Sequence, residues 1–237
     1  MVWYGVNSHG LAWIKDWIFT PDNWLFSLVP FHFLGFLLFG ANPALVVVAG
    51  WFIFVLSAFI SGLVAWQLDA KRSAFLIPLT LLFLGNYAHS SGFISYSTSH
   101  NVTNLFGLTS LLLIVKWANK QNSATLFFIL LLLVIGSLSD PWMIAAYNLP
   151  IVIVSILLWI FPQVKIGRID CIKLFLVSIA SIYVFKSQFF GALNFLPVLH
   201  FQLGDWDTIK NNSLFAIKNL GGLFNPTFRT LAKEKMI

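Results

Sequence analysis

Residues 43–72 read PALVVVAGWFIFVLSAFISGLVAWQLDAKR. From Pro43 to Trp66 no side chain is charged, and the run ends at a short loop, Asp69-Ala70-Lys71-Arg72. A helix of about 20 apolar residues crosses the hydrocarbon core of a bilayer. This stretch therefore reads as a membrane span with a basic loop at one end. The whole chain shares its character, being 59% hydrophobic and only 9% charged. A soluble domain carries about a quarter charged residues, so this chain cannot cover a water-facing surface.

Working outward, residues 74–90, 142–161 and 172–190 are further apolar runs of spanning length. Residues 103–117 and 124–138 are shorter but almost uninterrupted Leu, Ile, Phe and Val, divided by a polar turn from Ala118 to Ser123. Residues 24–40 are apolar too, but Pro30 and His32 interrupt the middle. The expected fold is all-α: a polytopic transmembrane helix bundle of about six or seven spans with an interfacial or re-entrant N-terminal segment. Residues 1–42 form that segment, residues 43–190 the bundle, and residues 191–237 a C-terminal segment on the outer side or the membrane surface.

The loops set the orientation. The basic stretches Asp69 to Arg72, Lys116 to Lys120 and Lys165 to Arg168 follow alternate spans. The intervening loops, Ser90 to Asn101 and Ser137 to Pro141, hold no Lys or Arg. Basic loops stay cytoplasmic, so these three face inward. Trp66, Trp117 and Trp159 stand at the same ends, as an aromatic belt would. A net charge of +6 is explained by these loops and implies no nucleic-acid partner. The layout places the chain in a bacterial inner (cytoplasmic) membrane, in contact with membrane lipid.

Met1 to Trp17 lacks the basic-then-apolar order of a signal peptide. It carries Trp3, Tyr4, Trp13 and Trp17 among polar residues, which suits the headgroup zone. Residues 3–23 are expected to lie on the membrane. The single Cys171 excludes an internal disulfide and any multi-cysteine metal site.

With this topology the outer face gathers Asp16, Asp22, His89, His100, Asp140, His200, Asp205 and Asp207. Each has a structural role to weigh. Asp140, before Pro141, fits a helix N-cap, and a capping carboxylate can still hold a ligand. His100 opens a span, where a histidine often packs or caps, and Asp22 in Thr20-Pro21-Asp22-Asn23 suits a turn. Asp205-Trp206-Asp207 has the Asp-x-Asp form that holds a divalent metal on sugar-nucleotide enzymes, a triplet common by chance. No P-loop, His-Glu-x-x-His or nucleophile elbow is present. No mid-span charge suggests an ion-coupled transporter.

The order of features resembles the GT-C class of polytopic glycosyltransferases. It runs from the acid-bearing aromatic segment Trp13 to Asp22, through a half-embedded helix and a long span, to Ser99-His100-Asn101 and Leu138-Ser139-Asp140-Pro141. The likeness is one of layout over about residues 10–160. It implies sugar transfer from a polyprenyl-phosphate donor on the outer face, with the catalytic carboxylate at Asp16 or Asp22 acting as a base or orienting a metal. His100 and Asp140 would then bind substrate. Members of that class begin with a spanning helix before the catalytic loop and are usually much longer, so this chain would be a truncated version. Two other functions fit the same residues: a non-catalytic membrane subunit packing against a larger partner, and a transporter or flippase of amphiphilic substrate. For the last, the spans offer only Asn86, His89 and Asn148 as polar lining.

Overall fold

The computed structural model describes residues 2–20, 22–82, 100–161, 166–187, 192–197 and 205–224. Among these every regular element is helical. Residues 1–198 and 199–237 are two separate compact units. Asn86, His89, His200 and the loop residues 90–99 before His100 lie outside the described residues.

The first unit begins with α1 (Val2–His9) and a 3-10 helix (Leu11–Asp16), followed by α2 (Val29–Phe39). Next come α3 (Pro43–Gln67) and α4 (Lys71–Leu82), then α5 (Asn101–Lys120) and α6 (Ser123–Ser139). A π-helical turn, Ile144–Asn148, leads into α7 (Leu149–Ile160), and α8 is Arg168–Ser187. Helix α3 packs on α4 and α5, α5 on α6, α6 on α8, and α8 on α7. The second unit contributes α9 (Trp206–Phe224).

Local chemistry sets the helix ends. Asn42 and Asn122 cap α3 and α6, their Oδ1 atoms accepting from the Ala44 and Ala124 N–H groups at 2.9 Å. Pro43 fits the first turn of α3, where a missing N–H is harmless. Helix α3 stops where Asp69 turns left-handed (φ 61°) and the Ala70 N–H bonds the Ala65 carbonyl at 3.0 Å, a Schellman closure. Gln121 (φ 48°) ends α5 in the same region, so only two residues separate α5 from α6 and the pair must run antiparallel. Pro150 explains the π turn: it has no N–H, and its ring would collide with a carbonyl in a straight α-helix. The preceding turn widens instead, with the Leu149 N–H bonding the Ile144 carbonyl five residues back.

At 25 residues α3 is about 37 Å long, and at 20 residues α5 is about 30 Å. These two helices are long and apolar enough to cross a membrane. Helices α2, α6 and the continuous Ile144–Ile160 are shorter apolar helices. The eleven residues of α2 reach about 16 Å, roughly half the hydrocarbon core.

The interior is richer in hydroxyls than the exterior. Ser110, Ser137, Asn148, Ser178 and Ser181 have no exposed surface, while Leu37, Phe39, Phe52, Phe128, Ile153 and Leu176 are more than half exposed. Ser110 of α5, Ser155 of α7 and Ser181 of α8 each bond a carbonyl of their own helix, as Ser110 does with Phe106 at 2.9 Å. Around them Trp117, Ile129, Leu133, Met143, Ile151 and Leu174 form the larger apolar cluster. A second, Leu28, Ile53 and Val102, ties the N-terminal segment to α3 and α5. Trp66 and Trp159 are about half exposed, as belt residues should be, but Trp117 is 2% exposed. It is a core side chain, held under the α5–α6 turn by Ile129 and Leu133.

Candidate functional site

The end of the bundle where α5 starts and α6 stops brings together two of the residues singled out from sequence. His100 Nδ1 lies 2.7 Å from Asp140 Oδ2. A carboxylate oxygen only accepts, so Nδ1 carries the proton and Nε2 is the atom the ring can offer a ligand. The His100 side chain is 51% exposed, whereas that of Asp140 is 2% exposed. One residue therefore faces outward and the other is its buried anchor.

Asp140 is anchored in turn. Its Oδ2 also accepts from the Thr103 hydroxyl, and its Oδ1 accepts from the Trp142 backbone N–H at 2.9 Å. These donors supply what burial of a carboxylate demands. The bond to Trp142 is the expected N-cap, made possible because Pro141 cannot continue α6. One carboxylate oxygen thus starts the next helix while the other fixes the imidazole. The Trp142 ring stands 5.5 Å from the His100 ring at 34° and is itself half exposed, so it restricts the imidazole and adds an aromatic surface beside it.

Polar contacts continue inward along the same face of α5. One turn after His100, Asn104 Oδ1 accepts from the Tyr147 hydroxyl at 3.1 Å. A turn further, Gly107 leaves space for the Tyr147 ring; a Cβ there would sit 2.3 Å from it. Asn148, the last residue of the π turn, donates to Ser137 Oγ at 2.9 Å and Ser181 Oγ at 2.8 Å. A single amide thus joins α6, α7 and α8. Insertions of this kind frequently occur at functional positions.

The N-terminal segment meets the Asp140 turn directly. Asn23 Nδ2 donates to the Leu138 carbonyl at 3.0 Å, and the Trp24 N–H donates to the Ser139 carbonyl at 3.0 Å. Asp22 immediately precedes these contacts and is half-buried. Its backbone carbonyl accepts from Thr20 Oγ1 at 3.1 Å, the expected turn. Asp16 ends the 3-10 helix and is exposed. Among the described residues neither carboxylate is bonded to His100 or Asp140.

Asp205 and Asp207 belong to the second unit. Asp205 Oδ1 accepts from the Thr208 N–H at 2.8 Å, which makes it the N-cap of α9. That bond holds the Asp205 carboxyl below its ordinary range. Among the described residues no group of three or more His, Cys, Asp or Glu side chains is placed to hold a metal ion. Asp205 is committed to a helix start, and among the described residues no third ligand accompanies the pair.

Thr103, Trp142, Asn104 and Tyr147 were not singled out from sequence. A signal existed for two of them: positions 100, 103, 104 and 107 follow the i, i+3, i+4, i+7 spacing of one helix face. The partnership of that face with Asp140 and Tyr147 depends on the antiparallel packing of α5 and α6. No family model matches the chain, and no curated protein or solved structure does so.

Proposed function

We propose that this is a polytopic integral membrane protein whose outer end handles a lipid-linked sugar, in the manner of a GT-C-like transferase. The membrane part is supported by the inverted distribution of side chains. Buried serines and Asn148 lie within the interior beside its apolar clusters, while many Leu, Ile and Phe side chains face outward from helix after helix. Lipid tails accept such a surface, and small polar interiors are how helices associate within lipid. The basic loops then put His100 and Asp140 on the outer side, and the short α2 enters the bilayer only part-way.

The single observation that carries the transfer is the dyad: an exposed imidazole with its tautomer set by a buried carboxylate, beside an exposed tryptophan. With a neutral ring, His100 Nε2 takes the proton of an acceptor hydroxyl. That oxygen forms the new bond to the anomeric carbon, whose bond to the polyprenyl-phosphate oxygen breaks. Asp140 is a positioning residue, and Trp142 offers a flat face to a sugar ring. Asp22, beside the Leu138–Ser139 contacts, is better placed than Asp16 to serve as a further carboxylate. Mass spectrometry of lipid-linked glycans in cells carrying His100→Ala tests this. Loss of one glycan species at unchanged protein abundance is expected; an unaltered profile counts against it.

One observation favours the non-catalytic subunit. The three donors on Asp140 also amount to a complete structural anchor for the α6–α7 turn. In that case His100→Ala leaves the glycans unaltered, and Asp140→Ala lowers the abundance of the protein and of its partner.

A further inference from the structure

A cavity of about 300 Å³ lies between the N-terminal segment, α2 and α3, lined by Trp3, Trp24, His32, Phe33, Phe36 and Val46 among others. Its wall is aromatic: Trp3 meets Phe33 edge-on at 5.2 Å and Phe36 at 5.7 Å, and His32 stacks on Phe36 at 6.0 Å. Two polar atoms of this lining, Trp24 Nε1 and His32 Nε2, are buried without a hydrogen-bond partner among the described residues. Buried polar groups are nearly always bonded, so two orphans on one cavity point to an absent acceptor. Trp24 is further marked by its backbone, with φ 49°. A bulky residue rarely adopts that region, and such strain gathers where ligands are held. The Trp24 N–H bond to Ser139 and the bonds from the Leu28 and Val29 N–H groups to the Trp24 carbonyl, at 3.0 and 3.1 Å, hold it there.

We propose that this cavity binds a phospholipid of the surrounding bilayer, with an ester or phosphate oxygen accepting from Trp24 Nε1 and His32 Nε2 and hydrocarbon against Trp3, Phe33 and Phe36. The opposite side of α2 identifies the occupant. Phe31, Leu34, Leu37, Leu38 and Phe39 are all more than half exposed, so α2 has its outer side in hydrocarbon and the ligand within reach is lipid. The volume is at the lower end for a small-molecule site, enough for the ester region and a short length of chain. This rests on the membrane reading of the chain and is independent of sugar transfer.

The full-length protein in nanodiscs of phosphatidylethanolamine and phosphatidylglycerol, doped with a diazirine-acyl phosphatidylethanolamine, is irradiated and its labelled peptides mapped. Labels on Trp3, Phe33, Phe36 or Val46 are expected, alongside those on outward residues such as Leu37. Trp24→Phe combined with His32→Phe, which leaves an aromatic ring but no N–H at each position, should lower the cavity labels at least fivefold and leave the Leu37 label unchanged. Labels on outward residues alone in the wild type overturn the cavity assignment while leaving the membrane reading intact. Labels on neither set overturn both. Undiminished cavity labels in the double variant overturn the proposed hydrogen bonds.

Discussion

His100 Nδ1 and Asp140 Oδ2 meet at 2.7 Å across 40 residues of sequence. The contact joins the first turn of α5 to the turn that ends α6, and the imidazole is held by a residue that has almost no surface. Exposure and fixation are thus divided between two side chains.

Replacing the anchor should cost more than replacing the ring. Asp140→Ala leaves the Thr103 hydroxyl and the Trp142 N–H without an acceptor in a buried place. Bonds to a charged group contribute about 1.5–3 kcal/mol and an N-cap about 1 kcal/mol. Asp140→Asn keeps an oxygen for the cap and should lose about half as much, and His100→Ala, on the exposed side, under about 1 kcal/mol. Reversible unfolding in mixed micelles ranks the three; a His100 variant as damaged as the Asp140→Ala variant contradicts the division of roles.

Gly107 is fixed by the Tyr147 ring, which occupies the place of its missing Cβ. Gly107→Ala should destabilise the bundle by about 1–3 kcal/mol through overpacking. Combining it with Tyr147→Ala should restore part of that loss, although the Asn104 bond is then gone as well. A double-mutant cycle on thermal unfolding measures the coupling, and additive effects rule out the contact.

Asn148 bridges two serines on separate helices. Hydrogen bonds between helices in a membrane average about 0.6 kcal/mol each, so Asn148→Ala should cost about 1–2 kcal/mol once the vacated volume is included. Ser137→Ala and Ser181→Ala should each cost less than Asn148→Ala. Equal losses from all three would mean the amide does not bridge.

Helix α9 should lose a stabilising contribution in acid. The Thr208 N–H keeps the Asp205 carboxyl below its ordinary range, so the folded form binds protons less readily than the unfolded form. The contribution is complete above the ordinary carboxylate value, about 3.9, and disappears as pH falls through the lower folded value. Asp205→Ala should lack this component; circular dichroism of wild type and variant on acidification from about pH 6 to about pH 2 compares them.

Sidedness can be read by cysteine labelling, because the one native thiol, Cys171, is 2% exposed and gives little background. A membrane-impermeant maleimide should label Ala41→Cys in intact cells. Lys71→Cys and Lys120→Cys should react only after permeabilisation. The opposite pattern inverts the proposed topology.

Helices α3, α5, α6, α7 and α8 were legible from apolar runs, and the capping role of Asp140 from the proline that follows it. Histidine 100 and Asp140 were both named, but their bond was not, since it depends on the close turn at Gln121–Asn122 that folds α6 back along α5. Trp117 misled because a tryptophan next to a basic loop looks interfacial whether it faces lipid or core. The π turn was hidden because Pro150 announces a local disturbance without specifying its form. Trp24 gave no sign of its left-handed backbone, which long-range bonds impose.

Those bonds constrain the order in which the protein can be built. Asn23 and its acceptor at Leu138 are 115 residues apart, so the first part of the chain leaves the ribosome well before its partner exists. Until α6 has been made, the turn at Trp24 has no carbonyl to close on, and its strained conformation has nothing to hold it. The amino-terminal segment must wait, and its docking is a late step that follows the packing of the central helices.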